Sequence, residues 1–107
     1  MRYEMGEKSG KIVFINSHDY VSDITGETWA GCLASLLSDG AEVLLYTESL
    51  RLHQTLEMAY ATGRSVAVSY WDETPKGAGE REPVAQVMET RDTSGGMVVV
   101  KAIWTLE

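Results

Sequence analysis

One change of period constrains this chain more than any other feature. Apolar residues recur at helical spacing over a single stretch, where Leu52, Leu56, Ala59, Tyr60 and Gly63 follow i, i+4, i+7, i+8. On both sides of that stretch the pattern is that of strands. Before it, Lys11 to Ile15 is a β-branched and aromatic run that can continue through His18, Tyr20 and Val21. Thr25-Gly26 reads as a turn, Thr28 to Leu37 as a second strand, and Glu42 to Thr47 as a third. The Asp39-Gly40 pair between the last two is a strong hairpin signal. After the helix, Val66, Val68 and Tyr70 alternate with Ser65, Ala67 and Ser69, so Arg64 to Trp71 is a strand. Val84 to Glu89 reads as another, and Thr93 to Gly96 as a turn. In the last strand Val98, Val100, Ala102, Trp104 and Leu106 form one apolar face, with Trp104 as a core residue.

The helix has readable ends. Thr47 or Ser49 can cap its start and Glu48 suits the positive end of its dipole. Gly63 is placed as a left-handed stop. Three strands, one helix and then two or three strands is the order of an oligonucleotide/oligosaccharide-binding (OB) fold, a Greek-key barrel whose open end a helix can plug. The expected architecture is therefore β-β-β-α-β-β with an optional extra C-terminal strand, its helix plugging the barrel with Leu52, Leu56, Ala59 and Tyr60. The rival is an open antiparallel sheet crossed by a helix. Residues 1–10, charged and containing glycine, are read as a loose arm, and residues 11–107 as one barrel domain. A chain of 107 residues has no room for two stable cores.

Charge narrows the partners. A net charge of −7 opposes approach to phosphate, and the nine Lys and Arg are scattered without a run, so nucleic acid and anionic membranes are disfavoured. No apolar stretch reaches the ~20 residues of a membrane span. Cys32, the only cysteine, excludes an intrachain disulfide and lies among Trp29, Ala30, Gly31, Leu33 and Ala34, which reads as inert packing. The first ten residues contain no apolar run of the kind a secretory leader carries, which points to a cytoplasmic address, or to a secreted one had a leader been removed.

Several constellations suggest chemistry. Ser17-His18-Asp19 holds the letters of a hydrolase triad, but neighbours on a strand face opposite ways and cannot form the relay. His18, Asp19 and Asp23 are the nearest approach to a metal set, and His53 lacks the second histidine one turn on that zinc proteases use, so no metal site and no cofactor is expected. Asp72, Glu80 and Glu82 read as a solvated loop rather than a glycosidase pair, and Gly77-Ala78-Gly79 precedes a strand, not a phosphate-binding helix. No residue is nominated as catalytic. Trp29, Tyr46, Tyr70 and Trp71 are the aromatics that could stack on a base in an OB module.

The stretch carrying Thr55-Leu56, Ala59-Tyr60, Thr62, Val66, Trp71, Thr74-Pro75, Val84, Val87 and Met88 resembles the B subunits of cholera toxin and heat-labile enterotoxin. It covers about a third of the chain. The resemblance implies an OB barrel, a ring of five copies with helices lining a central pore, and recognition of a cell-surface glycan by the residue matching Trp71. An indole suits that task, since its flat face meets the C–H face of a sugar. Asp72 and Glu73 stand where the family has an amide and a lysine, so ganglioside recognition is not carried over. Trp71, Asp72 and Glu73 are thus the expected ligand-binding residues of a non-enzymatic, ring-forming module. The alternative is an intracellular OB module for single-stranded nucleic acid or a protein partner.

Overall fold

The computed structural model describes residues 5–21, 26, 28–71, 87 and 97–106. Its elements are β1 (Met5–Val21), β2 (Thr28–Ser38), β3 (Ala41–Thr47), α1 (Leu50–Thr62), β4 (Ser65–Trp71) and β5 (Met97–Thr105). The strands close into a barrel in the order β1-β2-β3-β5-β4, with β4 returning to β1. All pairs are antiparallel except β3 with β5. This is the OB-fold-like barrel with one helix that the period change implies, and the open-sheet rival is excluded.

β1 serves two neighbours. Its first half pairs with β4, from Met5 opposite Trp71 to Lys11 opposite Ser65. Its second half pairs with β2, from Lys11 opposite Leu37 to Val21 opposite Thr28. Residues 5–10 are therefore strand, not part of a loose arm. The misreading came from the glycines, which here permit close approach. A Cβ on Gly10 would run into the Leu37 carbonyl, and one on Gly6 would lie 2.6 Å from the Tyr70 ring. The hairpin turn has Asp39 at φ 51 and Gly40 at φ 80, the two positive values of a type I′ turn.

The barrel interior holds Ile12, Cys32, Ala34, Leu36, Val43, Leu45, Val66, Val68, Tyr70, Val98 and Val100, closed below by Leu56 and Ala59 of α1. Tyr60, expected in that plug, is instead 48% exposed. It stands about 100° around the helix from Ala59, off the side that Leu56 and Ala59 bury. Trp104, expected in the core, is 42% exposed. A bulge is the reason: Ser69 faces Ala102 and Tyr70 faces Val100, so the register steps over Lys101. Beyond it the alternation inverts, so Ile103 packs inward and Trp104 outward.

A second apolar cluster lies on the outer side of β2 and β3. Leu33, Leu44 and Tyr46 are fully buried there with Val87, and Phe14 and Met97 pack at its margin. Phe14 reaches it because a bulge between Ile12 and Phe14 turns that side chain outward. Val87 is helical, not the strand expected over Val84 to Glu89; the rest of that segment lies outside the described residues. No helix among the described residues is long and apolar enough to cross a membrane.

Candidate functional site

The end of β1 and the start of α1 bring the polar side chains together. Ser49 in extended backbone caps α1 with its hydroxyl, which accepts from the Leu52 amide, and Thr47 Oγ1 accepts from the Ser49 amide at 3.0 Å. Gly63 ends the helix at φ 69, its amide bonded to the Ala59 carbonyl. These caps fix the rotation of α1, which sets His53 against β1. Ser17 Oγ lies 2.5 Å from His53 Nε2 and donates to Glu57 Oε1 at 3.4 Å. Glu57, one turn after His53, approaches the same Nε2 at 2.8 Å.

That geometry settles what the trio can do. A Ser-His-carboxylate relay needs the nucleophile on one ring nitrogen and the orienting carboxylate on the other. Here Ser17 and Glu57 share one nitrogen. The three groups form a polar clasp between β1 and α1.

A cavity of about 270 Å³ opens beside the clasp, lined by Ser17, His18, Asp19, Gly31, Leu50 and His53. Both histidines of the chain border it. His18 Nδ1 pairs with Asn16 Oδ1 at 3.1 Å, and the ring lies against β2 where Gly31 has no side chain; a Cβ there would stand 2.6 Å from Nε2. Among the described residues no three His, Cys, Asp or Glu side chains are grouped as a metal ion would require. Among the described residues the cavity wall thus offers one hydroxyl, two imidazoles, one carboxylate and an apolar side chain, and no Lys or Arg.

Cys32 sits behind this site as the cross-strand partner of Ser17. It is fully buried, and that burial pushes its thiol from 9.0 to about 12; the Glu57 carboxylate adds to the rise and a hydrogen bond with Ser17 opposes it. A thiol in this state is not a nucleophile at neutral pH.

Of the residues expected to bind ligand, Trp71 ends β4, paired with Met5 and Val99. Its side chain, and Asp72 and Glu73 entirely, lie outside the described residues, as do Glu80, Glu82 and Asp23. Tyr46 is buried and its hydroxyl donates to Glu48 at 2.7 Å, while Tyr70 points into the barrel. Neither presents a face for stacking. The Ser17–His53 contact joins residues 36 apart and has no signature in the sequence. The His53–Glu57 spacing of one helical turn does. Comparison of the chain with models of protein families, with curated proteins and with solved structures finds no match.

Proposed function

We propose that the chain is a non-enzymatic binding module that assembles into a ring-shaped homo-oligomer. The observation that carries this reading is the outward side of α1. Leu50 and Met58 are each 65% exposed and Tyr60 nearly half, although the opposite side of the same helix already plugs the barrel. A helix that keeps large apolar side chains on its solvent side has a second surface to cover. The resemblance of residues 55–88 to enterotoxin B subunits points to copies of the same chain as that cover.

The ligand assigned to the module is a glycan, in line with the same resemblance. The cavity beside the clasp supports it, because hydroxyl, imidazole and carboxylate groups exchange hydrogen bonds with sugar hydroxyls, and Leu50 supplies an apolar wall. Single-stranded nucleic acid is the weaker reading. A net charge of −7 opposes approach to a phosphate backbone, and Tyr46 and Tyr70 are buried and offer no face on which a base could stack.

Multi-angle light scattering at micromolar concentration tests the assembly, with several chains per particle as the expected result. A particle of one chain would remove the proposal. The same preparation on a glycan array, beside Trp71→Ala and Asp19→Asn, tests the ligand; retained, salt-sensitive binding to single-stranded DNA with no glycan signal would reverse the choice.

A further inference from the structure

The cavity beside the clasp has walls that are fixed before anything enters it. On one side His18 is the cross-strand partner of Gly31, and its ring lies where a Cβ at position 31 would come within 2.6 Å of Nε2. Asn16 Oδ1 holds the same ring through Nδ1 at 3.1 Å. On the other side His53 is held by Ser17 and Glu57, and its ring cannot turn without breaking the clasp. A site whose side chains are already tied down gives up little freedom on taking a ligand.

We propose that this cavity takes one uncharged sugar unit and discriminates against acidic sugars. The inference rests on the glycan reading and specifies which glycans the site accepts. Size is the first argument. At about 270 Å³ the cavity falls just below the ~300–1,000 Å³ of sites that enclose drug-sized ligands. That suits a single sugar ring, so a longer glycan would enter by a terminal unit. Charge is the second argument. Asp19 puts a carboxylate in the wall, and none of the described Lys and Arg lines it. A charge on His53 is balanced within the clasp by Glu57, 2.8 Å away. The oxygens of a carboxylate accept hydrogen bonds from the hydroxyls of a neutral sugar. A carboxylate or sulfate on the sugar meets Asp19 as a like charge instead. The net charge of −7 adds repulsion of the same sign at longer range.

Matched glycans on one array test this, each neutral glycan beside the same glycan ending in a carboxylated or sulfated sugar. The neutral member of each pair is expected to give on the order of fivefold more signal, the effect of one like charge at about 4 Å in water. Two variants with the same change in net charge locate the source of that preference. Asp19→Asn alters the cavity, whereas Asp39→Asn alters the hairpin turn between β2 and β3, where Asn tolerates the left-handed backbone. Asp19→Asn is expected to lose the neutral signal or bring the ratio near one, and Asp39→Asn to do neither. Acidic glycans bound as well as neutral ones, or the two variants behaving alike, overturn the uncharged-sugar site and leave the glycan reading standing. No signal from any glycan overturns both.

Discussion

Cys32 shows how far one side chain's surroundings decide its chemistry. The thiol keeps its proton to about 12 in the folded barrel, against 9.0 when unperturbed. The unfolded thiol therefore loses its proton first as pH rises. Between those values the unfolded state binds fewer protons than the folded one, so the group's contribution to stability is full below pH 9 and is lost as pH climbs toward 12. Chemical unfolding of wild type and Cys32→Ala across that window is expected to show the wild type losing stability more steeply, by as much as ~4 kcal/mol over three pH units. Parallel curves would show that burial does not hold the proton. The inert character of this thiol was legible from its apolar neighbours, whereas its contact with Ser17 was not, since that depends on the β1–β2 register.

Among the elements, α1 was the most legible and β1 the least. The helix declares itself by period and by caps at Ser49 and Gly63, and those caps are where the structure has them. β1 hid its first half behind Gly6 and Gly10, because glycine in a strand marks close backbone approach as readily as a loop. The two bulges account for most of what else was missed. Alternation predicts facing only while pairing is regular, so the extra residue Lys101 turned Trp104 to the surface, and Val13 turned Phe14 out of the barrel onto the outer cluster. The outer β2–β3 cluster was invisible for a related reason: Leu33 and Leu44 fall on the side that alternation assigns to solvent. Deleting residues 1–10 tests the role of β1 directly. Without them β4 keeps β5 but loses its β1 neighbour and the barrel opens, so cooperative thermal unfolding is expected to disappear; an unchanged transition would mean that this segment is dispensable.

For the whole molecule, charge and apolar surface act against each other. Each copy carries −7, and bringing copies together concentrates like charge. Apolar burial between copies, as the proposed assembly requires, gains nothing from that charge, so screening should favour assembly. Raising salt from about 20 mM to about 300 mM shortens the range of repulsion severalfold and is expected to shift sedimentation equilibrium toward the larger particle. A shift toward single chains would mean that ion pairs between copies, not apolar burial, dominate the contact.

The strands β2 and β3 lie between two packed clusters, with Cys32, Ala34, Leu36, Val43 and Leu45 on one side and Leu33, Leu44 and Tyr46 on the other. Such a partition has little room to drift, because a change at almost any position disturbs one filling or the other. Variation is steered to α1 and to the β4–β5 exterior. Descendants of this chain can thus exchange one companion for another while the partition that keeps them folded stays as it is.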